Sequence, residues 1–465
     1  MTSTALPSVP PARTATDAVR AQLPGTVLRP ADAGYAAARL PWNVAVPQRP
    51  AAVAVPRDTA EVGAVVRAAA AAGLRVAPQG TGHNAGPLGD LSDTLLLRTS
   101  AMTGARLDQA TGRVTVRGGT LWLEAVEAAA AHGRTVLHGS SPDVGVVGYS
   151  LGGGMGWYAR QLGLQTNSVT GAEIVLADGS VVRTDADHEP DLFWALRGGG
   201  GNFGVVTELE FASYDFTTAY AGMLLWDWAH AEQVLPRWAA WAAEAPYDVT
   251  TSFRLMQLPP LEELPPFLRG RQLVVLDGAV RTGDDARAEA LLAPLRALRP
   301  EIDTFGRVAT SSLVRLHMDP EGPTPAVSNT ALLSGLPDDA IATVLSVAGP
   351  GSSSALLAAE LRQLGGAMSR PAPGAGAMPC VEGQFLLFGV AVAPDADAAA
   401  AGQASADRLV ATLAPWSTGR RYLNFTETSV PSASGYDRTS LDRLRRVRAA
   451  VDPTGLFRAN HPVTK

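Results

Sequence analysis

Cysteine is all but missing. Cys380 is the only one in 465 residues, so no internal disulfide can staple the chain. One thiol suits a reducing compartment, and a cytoplasmic location is the expectation. Lysine is equally scarce: Lys465 stands alone, and nearly every cation is Arg. With Ala so abundant, that bias reads as coding composition rather than function. The formal net charge is only −6, both signs are mixed along the chain, and no polybasic arm or basic stripe is present. Nucleic acid is therefore not an expected partner. Long apolar runs are absent too. The Ala-rich stretch from Ala64 to Ala72 is interrupted by Arg67 and is too short to span a bilayer, so no membrane partner is expected. Met1 to Pro30 lacks the basic start, apolar run and small-residue site of an export signal. The seven His and single Cys show no metal-ligand spacing, and no G-x-S-x-G elbow supports a serine hydrolase. Aromatics make up 6% of the chain, too few to indicate a stacking substrate.

What is present is a 46% apolar chain long enough for two or three domains. The periodicity predicts a β-α-β start: a strand at Ala51–Val55, caps at Asp58 and Thr59, a helix over Ala60–Ala72 and a strand at Leu74–Ala77. Asp178-Gly179 between two strand-like runs is a hairpin signal. Beyond about residue 213 the glycine-dense texture ends. Strand-like runs (Thr250–Met256, Gln272–Val280, Ala355–Leu364, Gln384–Val392) then alternate with helix-like ones, which predicts an antiparallel sheet with helices on one face. A strand at Tyr422–Phe425 and a helix at Ser440–Ala450 close the chain. The first ~45 residues, rich in Pro, Ala and Thr, read as loosely structured or peripheral.

Three glycine clusters carry the chemistry: Gln79-Gly80-Thr81-Gly82-His83-Asn84; Gly139 to Gly145, running on through Gly148 to Gly152-Gly153-Gly154-Met155-Gly156; and Gly198 to Gly204. Glycine admits positive φ and lets backbone N–H groups approach an anion such as a pyrophosphate. Each cluster sits beside a predicted strand, as expected for backbone wrapped along an extended ligand. A nicotinamide-type fingerprint through Gly80, Gly82 and Gly86 fails, because Asn84 to Asp90 is turn chemistry where that motif needs a helix start.

The motifs together resemble the FAD-linked oxidase superfamily that includes vanillyl-alcohol oxidase, and within it the berberine-bridge-enzyme group. The segments that carry the likeness are a glycine-flanked His, a G-x-C-P-x-V-G-type loop followed by L-G-G-G-x-G, Asp191 to Thr207, Tyr422-Leu423-Asn424, and Asp452 to Phe457. The resemblance implies an α+β fold: a two-part, PCMH-type FAD-binding domain at 46–213 and a substrate domain with a helix-covered antiparallel sheet at 214–416. Residues 417–465 would return to the FAD domain, and residues 1–45 would form an N-terminal extension. It also implies FAD attached covalently, once, through His83, since a neutral imidazole is nucleophilic near pH 7 and can add to the quinone-methide form of the ring. Ser141 stands where many relatives carry a second flavin-bonding Cys, and a hydroxyl is a far weaker nucleophile than a thiolate. Gln79 and Thr81 replace a usual Arg and Gly. The cofactor-binding set implied is Gln79, Gly80, Thr81, Gly82, His83, Asn84, Ser140, Ser141, Val144, Gly145, Gly148, Gly152, Gly153, Gly154, Gly156, Gly201, Asn202, Gly204, Val206 and Asn424. Val144 fits two roles, admitting oxygen to the flavin or packing the core.

The chemistry implied is hydride transfer from a small organic substrate (an alcohol, hemiacetal, amine or secondary-metabolite scaffold) to flavin, with O₂ as the partner that takes the electrons and gives H₂O₂. A base must accept the substrate proton. Tyr422 and Glu382 are the candidates, with Gln384 on the same strand side as Glu382. His317 and Glu427 are secondary, and His138 is a candidate cofactor neighbour. Two alternatives remain beside this reading: a flavin dehydrogenase using another acceptor, and a flavin-holding protein that binds or cyclises a ligand without net turnover.

Overall fold

The computed structural model describes residues 12–262 and 264–464. Three sheets are built in chain order. In the first, Val27–Leu28, Ala52–Ala54, Thr94–Arg98 and Arg75–Gln79 lie side by side, the last three parallel. The parallel pairing follows from the crossover helix Thr59–Ala71, whose N-terminus is capped by the Asp58 carboxylate accepting from the Glu61 N–H. The second sheet is antiparallel, in the order Ala105–Asp108, Arg113–Arg117, Val205–Ala212, Val169–Val175, Val181–Asp185. Its Asp178-Gly179 hairpin forms as read from the sequence. Gly179 takes φ 77°, and Asp178 accepts from the Ser180 N–H at 2.8 Å.

The third sheet has eight strands, all paired antiparallel. Its main order is Ile302–Asp303, Thr218–Asp227, Gln272–Val280, Val249–Gln257, Ala358–Gln363, Phe385–Val392, Ala326–Leu333, and Gly306–Ala309 pairs beside Thr218–Asp227. Helices Ala231–Glu244, Asp285–Arg296, Asp338–Ala348 and Ala396–Thr412 supply Trp238, Leu292, Val344 and Leu409 to a core that also buries Leu276, Phe253, Leu361, Leu387 and Leu333. Side chains alternate along a strand, so the neighbours of those residues face the other way. On that opposite face the register sets Ser252 beside both Asp277 and Arg362, and Arg254 beside Glu360. Arg160, from the second glycine region, reaches into this half. Its guanidinium donates to the carbonyls of Leu364, Ala245, Pro246 and Val249.

Two expectations need correction, and two strands are additions. Tyr422–Phe425 is not a strand: Leu423–Phe425 forms a single 3₁₀ turn. The N-terminal stretch is not loose where it is described. Helix Ala12–Gln22 buries Ala15 and Val19 against Val62 and Val66, while residues 1–11 lie outside the described residues. Strands Thr218–Asp227 and Ala326–Leu333 were not anticipated.

Candidate active site

The glycine clusters converge, and the C-terminal segment closes onto them. The Asn84 amide donates to the Leu423 carbonyl at 3.0 Å, and the Asn424 amide donates to the Tyr149 carbonyl at 2.9 Å. A Cβ built on Gly86 would lie 2.3 Å from the Glu427 carbonyl oxygen, and one on Gly152 would lie 1.8 Å from Asn424 Oδ1. These glycines permit close approach. Gly153, at φ 121°, sits against the Tyr422 hydroxyl, and Gly154, at φ 78°, against the Tyr149 ring.

His83 occupies the mouth of the first cluster. Its ring stacks on Trp42 with centroids 4.0 Å apart and planes 20° from parallel. Nε2 is buried without a hydrogen-bond partner and lies 3.7 Å from Asp143 Oδ1. Burial lowers the His83 pKa, with Asp143 and Asp319 opposing, so the imidazole is neutral and nucleophilic at pH 7. Burial works against the Asp143 carboxylate, yet the Gly322 N–H (2.7 Å), the Trp42 indole N–H (2.6 Å) and the Ser141 hydroxyl (2.8 Å) all donate to it and hold it below its ordinary pKa.

Across from the loops stands the polar face of the eight-stranded sheet. Arg254 and His317 Nδ1 both reach Asp277 Oδ2, at 2.6 and 2.8 Å. Glu360 Oε1 accepts from the Arg362 Nε (2.5 Å) and the Ser252 hydroxyl (2.7 Å). His317 Nε2 lies 3.3 Å from Glu360 Oε1 and 3.1 Å from the Arg362 guanidinium. Burial and Arg254 disfavour a charged His317, but Asp277, Asp319 and Glu360 together raise its pKa to about 9. Burial likewise opposes ionisation of Glu360, while Arg362 and His317 hold it well below the usual carboxylate range. The Arg362 guanidinium also lies 4.9 Å above the Phe425 ring, which places this network beside the Tyr-x-Asn turn. The Ser140 hydroxyl donates to Asp319 at 3.3 Å, linking the second glycine cluster to the same group.

The other expected residues separate into two groups. Tyr422 is buried beside Gly153, and burial pushes its hydroxyl pKa up. Glu427 is tucked behind Gly86, and its carboxylate accepts from Ser328. Burial lifts the Glu427 pKa to about 7, with Ser328 opposing. His138 is buried, and its Nδ1 bonds to the Gly139 carbonyl at 2.6 Å. Several of the expected residues have partners elsewhere in the chain. The Glu382 side chain is 64% exposed on the rim, 4.0 Å from Arg420, and Gln384 is exposed, because their stretch precedes the strand Phe385–Val392. Gln79 forms a reciprocal amide pair with Gln48. Both ends of the Asn202 amide are taken by chain partners: it donates to the Gly199 and His461 carbonyls and accepts from Arg448 and the Val463 N–H. Gly204 permits close packing on the Val175 carbonyl, Gly156 on that of His138, and the Val206 side chain is core. Val144 packs against that same core.

What is left suits a polar ligand such as FAD. Asn84 Oδ1, the Tyr149 and Tyr422 hydroxyls, Ser150 Oγ, Gln165 Nε2 and Thr166 Oγ1 are all buried with no hydrogen-bond partner. Such groups are costly unless something meets them. A Cβ on Gly148 or Gly201 would meet nothing within 4 Å, so those positions border open space. Residues that reading the sequence did not select are Trp42, Asp143, Tyr149, Asp277, Glu360 and Arg362. The available signal was a charge inside an otherwise apolar strand: Arg254 in Val249–Gln257, Asp277 in Gln272–Val280, and Glu360 with Arg362 two residues apart.

Comparison with known proteins agrees with this geometry. A family model described as FAD binding domain matches residues 50–185, and one described as berberine and berberine like matches 421–464. Glucooligosaccharide oxidase of Sarocladium strictum is 36% identical over 192 residues, 40% of this chain and 38% of that protein. (R)-6-hydroxynicotine oxidase of Paenarthrobacter nicotinovorans is 34% identical over 203 residues, 43% of this chain and 44% of its own length. These two matches thus span less than half of either relative. Xylooligosaccharide oxidase of Thermothelomyces thermophilus is 28% identical over 448 residues, 90% of this chain and 88% of that protein. Among solved structures, wild-type BBE-like 1 of Physcomitrella patens superposes with TM-score 0.82 at 21% identity, covering 97% and 98% of the two chains. Glucooligosaccharide oxidase from Acremonium strictum, described with a 6-S-cysteinyl, 8α-N1-histidyl FAD, gives 0.79 at 22% identity over 96% and 100%. At those identities the likeness is one of fold. The two family segments, set on this fold, fit the FAD-linked oxidase superfamily and its berberine-bridge-like group.

Proposed function

We propose that the protein is an FAD-dependent oxidase of a small polar substrate, with the flavin joined once, through His83. The observation that carries this reading is the ring of partnerless buried polar atoms around the glycine turns, with a neutral His83 at their edge. When bound, FAD supplies the hydride acceptor and hands the electrons to O₂, giving H₂O₂. In this reading residues 46–213 and 417–465 hold the cofactor and residues 214–416 form the roof over the substrate. The Tyr422 hydroxyl, kept a neutral phenol by burial, and the Arg362 guanidinium both pack on the Phe425 ring, and as hydrogen-bond donors they orient the substrate oxygen or nitrogen. The names of the relatives, which refer to oligosaccharides and to a hydroxylated amine, support a polar substrate with a C–H next to O or N. Among the described residues no helix is long and apolar enough to cross a membrane, and the single thiol favours a cytoplasmic setting.

Intact-mass measurement of denatured protein tests the cofactor assignment. Wild type is expected to be heavier by one FAD less two hydrogens, and His83→Ala to show the bare polypeptide mass with its flavin released. A wild-type chain of unaltered mass would sink the covalent assignment. Anaerobic bleaching of the flavin by a substrate panel, followed by rapid recolouring in air, tests the oxidase assignment.

A further inference from the structure

His83 has two ring nitrogens, and only one can hold the lone pair that bonds carbon while the other keeps a proton. The structure fixes the surroundings of one of them. Nε2 is buried, has no hydrogen-bond partner and faces the Asp143 carboxylate at 3.7 Å, while the Trp42 stack fixes the plane of the ring. The carboxylate is itself held by three donors: the Trp42 indole, the Gly322 amide and Ser141. The other charged group bearing on His83 is Asp319, also an anion. Ser141, at the position where the resemblance places a second flavin-bonding Cys, has its hydroxyl committed to Asp143.

We propose that Asp143, braced by Ser141, is a positioning residue that holds the Nε2–H tautomer of His83 and so makes Nδ1 the nitrogen that bonds the flavin. The proposal rests on the covalent reading above. Attachment breaks one C–H bond of the flavin 8α-methyl group and forms a C–N bond to Nδ1. The ring gains two electrons, and O₂ removes them together with two protons as H₂O₂. One of those protons comes from the methyl group. The other is the Nε2 proton, which passes by way of the adjacent Asp143 carboxylate as the developing imidazolium relaxes to neutral.

The test follows attachment itself rather than turnover. Full-length chain made in a flavin-starved host is given FAD, and the polypeptide gaining one FAD less two hydrogens is followed by intact mass, with total bound flavin measured alongside. Asp143→Asn is expected to bind FAD but to attach it about a hundred-fold more slowly, within the usual range for a lost proton acceptor. Asp143→Glu, which restores the charge, is expected to recover much of the rate, and Ser141→Ala to slow it several-fold. Attachment in Asp143→Asn at the wild-type rate, or a Glu variant as slow as Asn, overturns the proposal. Should Asp143→Asn fail to bind FAD, Ser141→Ala decides: an unchanged rate overturns it as well. A wild-type chain that gains no mass defeats the earlier covalent reading instead, so the two failures are distinguishable.

Discussion

The two faces of the eight-stranded sheet share every strand and almost nothing else. One face carries Phe253, Leu276, Leu361 and Leu387 into a dry core under four helices. The other, one residue along each strand, carries Ser252, Arg254, Asp277, Glu360 and Arg362, all buried or nearly so. A helix-covered face gains roughly 1.5–3 kcal/mol per large apolar side chain buried. A face that buries charges gains little, because desolvation consumes most of the Coulombic attraction. The difference teaches that the second face is not built for stability. It is maintained against a thermodynamic preference for apolar packing, which is how a ligand-facing surface differs from a core.

Two substitutions at opposite ends of that contrast should have the largest effects. Phe253→Ala on the core face should cost about 3–5 kcal/mol in denaturant unfolding. Asp277→Ala should cost a similar 3–5 kcal/mol by stranding Arg254 and His317. They should part in turnover per folded molecule, which Phe253→Ala preserves and Asp277→Ala abolishes. Equal turnover in both would break the comparison. The next effect is pH dependence. His317 has its pKa raised to about 9 in the folded chain, against an ordinary value of 6.5. Its contribution, about 3 kcal/mol, is therefore fully present below about pH 6.5 and lost as pH rises through 9. Urea midpoints between pH 6 and 10 should show that loss, and His317→Gln should flatten it. Ser252→Ala removes one of three donors to Glu360 and should cost about 1–2 kcal/mol. Smallest in stability is Tyr422→Phe: the hydroxyl has no protein partner, so the melting temperature of the flavin-free chain should not fall, while kcat drops.

The flavin half was far more legible in the sequence than the roof, and the reason is physical. Positive-φ turns and close backbone approach demand glycine at fixed places, so Gly82, Gly153 and Gly154 announce themselves. The Asp58 cap and the Asp178-Gly179 hairpin are local in the same sense. The roof network joins residues 252, 254, 277, 360 and 362 by strand register, with His317 brought in from the turn after Thr310–Arg315, and no local pattern encodes which strands will be neighbours. Glu382 misled because parity along a strand says nothing about where the strand begins. Asn202 misled in another way. It lies inside a glycine motif, yet its amide ties the C-terminal residues His461 and Val463 into place.

Arg160 has a mechanical consequence. One guanidinium bonded to four carbonyls ties the cofactor half to the roof, so any hinge motion between the two would have to break those bonds together.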